Sequence, residues 1–232
     1  MPHLDFTLLL QGQYRDWLLS GLLVSLQLSG LTLLAALPLA TAIALLRLAP
    51  SRLARALGFA YVEGVRSVPL LVHMLFWYFA APEALPQGLK AWLYGGNIEA
   101  AAAVIALTIY TAAYMAEDIR SGLRAVPHTQ LEAARALGFG FLQSMRLVIL
   151  PQSLRITVPP LISQTLNLWK NTSIATVIGA AELMYQAQRV ETASFRGFET
   201  FALVTAGYLS ISLLITALAQ LYQWRYPLRV AS

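Results

Sequence analysis

Residues 18–46 hold 29 consecutive positions without a charged side chain, and most of them are apolar. A helix needs about 20 such residues to cross the hydrocarbon of a bilayer. Two further uncharged runs have the required length or nearly so: 200–224 with 25 residues, and 156–181 with 26 residues interrupted only by Lys170. Shorter runs lie at 100–116, ending at Glu117 and Asp118, and at 67–82, extendable toward Gly58 only past Arg66 and Glu63. The pattern predicts an all-α, polytopic membrane protein with five transmembrane helices, 1–232 forming a single membrane domain. Composition agrees: 58% of residues are hydrophobic and 12% charged, against about a quarter charged in a soluble domain. No basic stretch precedes the first run, and that run far exceeds the 7–15 residues of a signal core. It is expected to be a retained span.

An odd number of spans places the termini on opposite sides, and the basic residues then sort unevenly. One side carries Arg15, Lys90, Arg189 and Arg196; the other carries ten, among them Arg47, Arg52, Arg55, Arg120, Arg124, Arg135, Arg146, Arg155, Arg225 and Arg229. Cytoplasmic loops carry the Lys/Arg excess near span ends. The N-terminus is therefore expected outside, the C-terminus inside and the long loop 120–155 in the cytoplasm. Trp17, Trp77, Tyr78, Trp92, Tyr94, Tyr222 and Trp224 fall near the ends of the spans, where interfacial aromatics collect.

Several function classes drop out on composition. The net charge of +5 comes with no basic run to follow a phosphate backbone, which speaks against nucleic acid. There is no cysteine for a disulfide, a Cys zinc site or thiol chemistry. His3, His73 and His128 are scattered and form no HExxH, so no metal site is expected. No serine has a base placed by spacing to activate it, and no catalytic residue is assigned.

In the long loop, Pro127 ends what precedes it, and Thr129 and Glu132 have the spacing of a capping box. The spacing predicts a short helix over Ala133, Ala134, Arg135 and Ala136, with Gly138 as a left-handed stop. A second short helix is expected from Phe141 to Arg146. Pro151 can open another helix but not continue one. Phe139, Phe141, Leu142 and Met145 crowd this corner. Such a cluster suits an interface, or else it tucks back under the protein's own spans.

The order Glu132-Ala133-Ala134, three residues, Gly138, nine residues, then Val148-Ile149-Leu150-Pro151 resembles the EAA loop of ATP-binding cassette importer permeases, with Val148 where that pattern usually has Ile. Tyr110-Thr-Ala-Ala-Tyr114-Met-Ala-Glu117, Arg120-Ser-Gly122, Ala125-Val-Pro127, Lys170-Asn171-Thr172-Ser173, Ile178-Gly179 and Arg66-Ser-Val-Pro69 resemble the polar amino acid branch of that family. The stretch 132–160 looks closest to glutamate/aspartate permeases. The resemblance implies a type I importer permease in a bacterial cytoplasmic (inner) membrane, importing a polar amino acid by alternating access. It implies that Glu132, Ala133, Ala134, Gly138, Phe139, Phe141, Leu142 and Met145 couple to a cytoplasmic ATPase dimer. It further implies a second permease, identical or homologous, and an extracytoplasmic substrate-binding protein. The chain has no Gly-Lys dipeptide and hence no P-loop. No cofactor is expected on it, and ATP belongs to the partner subunit.

Lys170 is the fifteenth residue of its run, and a cation near mid-bilayer costs about 2.5–3.5 kcal/mol on insertion scales. Eleven residues separate it from the outer end of the run, about 16 Å and beyond the reach of a lysine stem. Asn167, Lys170 and Asn171 share a helix face at i, i+3 and i+4, and Thr172 and Ser173 extend the polar patch. These five residues are the candidate substrate site. A structural ion pair of Lys170 with Glu63, Glu117 or Asp118 is the alternative. Arg66 is either a second cation of the site or an interfacial charge neutralised by Glu63 at i, i+3. His73 is expected to be packed and neutral. The rival function is an ion-coupled secondary transporter using Lys170 and Glu117, but no internal repeat supports it.

Overall fold

The computed structural model describes residues 5–226, with only the backbone of Trp92 and Leu93. His3 and Arg229 lie outside the described residues. Among the described residues, three helices are long and apolar enough to cross a membrane: α1 (Gly12–Leu48), α5 (Ile98–Arg124) and α10 (Gly197–Arg225). Each contains one of the predicted runs. α5 continues past the predicted end through Glu117, Asp118 and Arg120, because ion pairs and a hydrogen bond described below satisfy those groups.

α1 and α5 pack side by side in the same direction. Leu28 of α1 meets Ala102, Ala103 and Ala106 of α5, and further along Ala36, Ala40 and Ala44 meet Ala112, Met115 and Ala116. Small side chains let two backbones approach where lipid gives no hydrophobic drive for association.

The run 67–82 proves to be half of a broken element. α2 (Arg52–Arg66) is capped by Ser51, whose hydroxyl accepts from the Ala54 amide at 3.4 Å. The chain then turns by 100° into Leu70–Ala84. Pro69 stands at the bend, and a residue before proline is driven from helical geometry. Beyond it α3 (Leu70–Leu75) passes into a wide π-turn at Phe76–Ala80 and a 3-10 turn at Ala81–Ala84. Taken together, α2 and Leu70–Ala84 make a fourth candidate span. A short α4 (Gln87–Tyr94) leads to α5.

The run 156–181 is divided differently. α8 (Leu150–Asn171) has 22 residues, about 33 Å of rise, which is long enough to cross, but its face of Gln, Asn, Thr and Lys makes it less apolar than the others. By length and apolarity the described residues thus give three spans, or four with the bent pair, where the sequence predicted five, and α8 is the fifth predicted run. α8 runs antiparallel to α5, and the two approach closely at Gly122: a Cβ there would lie 1.9 Å from Thr157 Oγ1. After Asn171 the chain tightens into a 3-10 turn, Thr172–Ile178, ended by Gly179 at φ 83°. α9 (Leu183–Ser194) then packs across α1, with Leu183 and Gln186 seated against Gly21.

The loop between α5 and α8 holds α6 (His128–Ala136) and α7 (Phe141–Ser144). Two expectations are corrected here. α6 begins two residues earlier than predicted, with Pro127 rather than Thr129 at the cap, because the Pro127 carbonyl already accepts from the Gln130 amide at 3.0 Å and proline's fixed φ leaves its carbonyl free to start the helix. α7 does not stop near Arg146: it continues through a π-turn, Met145–Ile149, into α8. The widened turn changes the carbonyl register just before Pro151, so the missing amide falls in the first turn of α8 without breaking the rod.

Candidate functional site

A cleft of about 530 Å³ opens between α5 and α8. Tyr110, Thr111 and Tyr114 form one wall; Gln164, Asn167, Leu168, Lys170 and Asn171 form the other. Thr111 is the midpoint of the 27-residue α5, so the cleft sits halfway along that helix. The residues on α8 follow from its register, since positions 164, 167, 168 and 171 recur on one face. Lys170 occupies the last turn of α8, where the helix dipole favours a cation.

The polar groups of this cleft are ordered among themselves. The hydroxyls of Tyr110 and Tyr114 lie 3.2 Å apart. The Asn167 side-chain amide donates to Gln164 Oε1 at 3.5 Å, and Gln164 Nε2 donates to Asp118 Oδ2 at 3.0 Å. The guanidinium of Arg66 lies 5.0 Å from the centre of the Tyr114 ring, within cation–π range of the tyrosine that walls the cleft. Arg66 forms no ion pair with Glu63 among the described residues.

Lys170 likewise has no ion-pair partner among the described residues. Glu117 is held by Arg47 of α1 and by Arg120 one turn on, and Asp118 is occupied by Gln164. The geometry thus gives the lysine to the cleft rather than to a structural pair. Of the predicted patch, Asn167, Lys170 and Asn171 come together. Thr172 does not: it is fully buried and its hydroxyl donates to the Trp169 carbonyl at 2.8 Å. Ser173 turns its hydroxyl back onto the Lys170 carbonyl at 2.8 Å. The 3-10 turn starting at Thr172 rotates both away from the face that Asn167 and Lys170 share. Tyr110, Tyr114 and Gln164 escaped the sequence reading as site residues, although tyrosines at i, i+4 inside a span are a legible signal.

Behind the cleft wall stands a buried polar network. Glu182, fully buried, caps α9 by accepting from the Met184 and Tyr185 amides at 2.9 and 2.8 Å. Its carboxylate also accepts from Tyr208 Oη of α10 at 3.0 Å and from Ser25 of α1 at 3.3 Å. Trp169 Nε1 donates to the Tyr208 carbonyl at 3.2 Å. The residue before Lys170 is thereby tied to α10. His73 packs nearby, its Nε2–H donating to the Val65 carbonyl at 3.1 Å and its ring meeting Tyr110 edge-on.

The second site is the corner between α6 and α7. Gly138 has φ 84°, the left-handed geometry predicted for it. Gly138 N–H donates to the Arg135 carbonyl at 2.9 Å, and Phe139 N–H to the Ala134 carbonyl at 3.1 Å, the paired bonds of a Schellman stop. Leu137, Phe141 and Leu142 are 77%, 64% and 76% exposed. Leu137 was not among the expected residues, yet it is the most exposed of the three. Glu132 and Ala133 are exposed, Ala134 is buried, and Phe139 is half-buried. Met145 faces a cavity of about 700 Å³ under the ends of α1 and α5, which Phe141 also borders. The corner is therefore divided: Met145 tucks under the spans, while Leu137 and Leu142 point out.

The family model for the binding-protein-dependent transport system inner membrane component matches residues 32–227. The chain belongs to that family. It is a multi-pass inner-membrane permease component, a transport subunit rather than an enzyme, and the family's ATPase and substrate-binding protein are separate proteins. The permease is 41% identical over 175 residues to a probable glutamine ABC transporter permease of Bacillus subtilis (strain 168), covering 75% of this chain and 77% of that one. It is 34% identical over 206 residues to a glutamate/aspartate import permease of Escherichia coli (strain K12), covering 87% and 84%. The crystal structure of an amino acid ABC transporter with histidines contains a chain that superposes with a TM-score of 0.82 at 32% identity, over 96% of this chain and 99% of that one.

Proposed function

We propose that this permease carries a polar amino acid inward, glutamate, aspartate or a related polar amino acid, through the cleft between α5 and α8. Alternating access is powered by an ATPase dimer docked at the α6–α7 corner. The observation that carries the reading is Lys170: a cation lining a cleft halfway along α5, beside Asn167 and Asn171, with no ion-pair partner among the described residues. A substrate carboxylate loses water on entering such a cleft, and a positioned cation with amide donors replaces that water. The relatives' glutamine and glutamate/aspartate transport agrees with this chemistry.

In this reading Lys170, Asn167 and Asn171 meet the substrate, and Arg66 acts on it through space from beside the Tyr114 ring. Glu132, Ala133, Ala134, Gly138, Phe139, Phe141, Leu142 and Met145, with Leu137 added, form or support the ATPase-coupling surface. Two permeases, identical or homologous, share the ATPase dimer, an extracytoplasmic protein delivers substrate, and ATP is bound on the partner. The N-terminus lies outside and the C-terminus in the cytoplasm. Single cysteines at Gln13 and Gln143 test that orientation in intact cells: an impermeant thiol reagent is expected to label position 13 alone. Function is tested by purifying the permease with its ATPase, identifying the small molecule retained in detergent, and measuring ATP-driven uptake of it into proteoliposomes with the binding protein present. A retained polar amino acid that is transported supports the reading. Uptake driven by an ion gradient without ATP overturns it.

A further inference from the structure

The cleft presents more than a cation. Glu117 and Asp118 are adjacent on α5 but have different tasks: Glu117 is consumed by Arg47 and Arg120, whereas Asp118 turns toward α8 and takes the Gln164 side chain at 3.0 Å. A carboxylate only accepts hydrogen bonds, and a glutamine amide has one donating and one accepting end. Asp118 therefore fixes which end faces which way. Nε2 is held against Asp118, and Oε1 is turned toward Asn167 and the cleft that Gln164 lines. Without Asp118 the amide is free to flip and to present its donor instead.

We propose that Asp118 is a positioning residue and Gln164 a specificity-determining one: together they present the acceptor that receives the α-ammonium of an amino acid whose carboxylate meets Lys170. The two groups lie on one wall, six residues apart, about 9 Å along the axis of α8. Both line the cleft, so one end of it attracts a carboxylate and the other an ammonium. The tyrosine hydroxyls opposite, 3.2 Å apart, have oxygens that can accept further N–H groups. Such a cleft selects a zwitterion. A compound with the same carboxylates and no amine leaves unused the second acceptor site of the Gln164 oxygen, which among the described residues accepts only from Asn167 at 3.5 Å, and a hydrogen bond that only the amine can make discriminates between otherwise similar ligands. The negative charge of Asp118, one residue removed behind Gln164, reinforces the preference without touching substrate.

This inference rests on the amino acid transport reading, and its test separates the two. The permease purified with its ATPase is titrated in detergent with radiolabelled glutamate and glutamine, each competed by its counterpart lacking the amine, glutarate and glutaramate. For the wild type the amine-bearing compound is expected to bind about thirtyfold tighter or better. In Asp118→Ala and in Gln164→Leu the ratio falls by about tenfold or more, with the affinity for the deaminated compound unchanged. Asp118→Asn can donate as well as accept, so it no longer fixes the Gln164 amide and is expected to lose part of the ratio. Lys170→Met acts oppositely, weakening both compounds together. A ratio unchanged in both Asp118→Ala and Gln164→Leu overturns the proposal alone. Failure of the wild type to bind any amino acid overturns the transport reading and this inference with it. Should Asp118→Ala not elute as a folded complex, Gln164→Leu carries the same test.

Discussion

At the cleft, Gln164, Asn167, Lys170 and Asn171 put polar groups at the depth of the middle of α5; at the corner, Leu137, Phe141 and Leu142 put apolar surface at the end of the molecule where the spans finish. Each region departs from what its expected surroundings favour. Polar groups in lipid and large apolar side chains in water both cost free energy, and each cost is offset only when something else occupies the position. The difference lies in how they are held. The cleft rests on side-chain hydrogen bonds between long helices, backed by the Glu182 and Tyr208 network, whereas the corner rests on backbone geometry at Gly138 and on few side-chain contacts. The cleft is therefore expected to respond to loss of a functional group, and the corner to loss of a backbone conformation.

The largest expected effect is at Lys170. Lys170→Met keeps the stem and removes the charge, leaving a substrate carboxylate unpaired, and transport is expected to fall by about a hundredfold. Co-purification of the ATPase is expected to be intact. Lys170→Arg restores the charge with a planar fork in place of a point charge and recovers part of the rate. If Lys170→Met instead fails to insert, and neutralising a nearby acid rescues it, the lysine belongs to the scaffold and the contrast with the corner disappears.

Next comes Gly138. Nothing lies within 4 Å of where its Cβ would be, so substitution there tests the φ of 84° alone, free of crowding. Gly138→Val costs about 1–3 kcal/mol in the left-handed region and redirects Phe141 and Leu142. ATPase co-purification is expected to be lost while substrate retention in detergent persists. Gly138→Asn, better tolerated at this φ, is expected to keep both. Retained ATPase binding in Gly138→Val together with Glu132→Lys removes the corner as the docking surface.

The two regions also differ in how far the sequence disclosed them. Gly138 and the face of Asn167, Lys170 and Asn171 were legible because each depends on local chemistry: a residue able to take positive φ, and a polar stripe at helical spacing inside an apolar run. The uncharged-run criterion found α1, α5 and α10. It missed α2, whose charged residues ended the count although Gly58 and Val62 bury against neighbouring helices, and it treated 67–82 as whole when Pro69 marks a 100° bend. Thr172 and Ser173 were grouped with Lys170 because adjacency in sequence resembles adjacency in space until the helix tightens to 3-10 geometry. The continuity of α7 with α8 was hidden for a similar reason, since a π-turn beside Pro151 leaves no composition signal.

A smaller effect is expected midway between the regions. Gly122 meets Thr157 where α5 and α8 cross, thirteen residues or about 20 Å along α8 from Lys170. Gly122→Ala forces the helices apart and is expected to cost about 1–3 kcal/mol, read as a lower thermal midpoint in detergent. If the cleft and corner communicate through this contact, substrate-stimulated ATP hydrolysis drops while substrate affinity is kept. Thr157→Ala added to Gly122→Ala removes the hydroxyl that a Cβ would strike and is expected to recover part of both. Unchanged stimulation in the single variant means the signal takes another route.

The smallest effect is at Arg66, and it bears on which amino acid is carried. Its guanidinium lies against the Tyr114 ring, and Arg66 is exposed and does not line the cleft, so its charge reaches the cleft only through space and solvent. A partly screened cation contributes on the order of 0.5–1 kcal/mol, a two- to fivefold change in affinity. An acidic substrate has a second carboxylate for that charge to attract, whereas a side-chain amide has none. Arg66→Gln is therefore expected to weaken glutamate or aspartate by about two- to fivefold and to leave glutamine unchanged, so the ratio between the two substrates moves even if both are transported. Equal weakening of all three points to a packing role through the Tyr114 ring, which Arg66→Lys separates: the point charge is kept, the planar stacking is lost, and only the electrostatic account predicts that glutamate binding recovers.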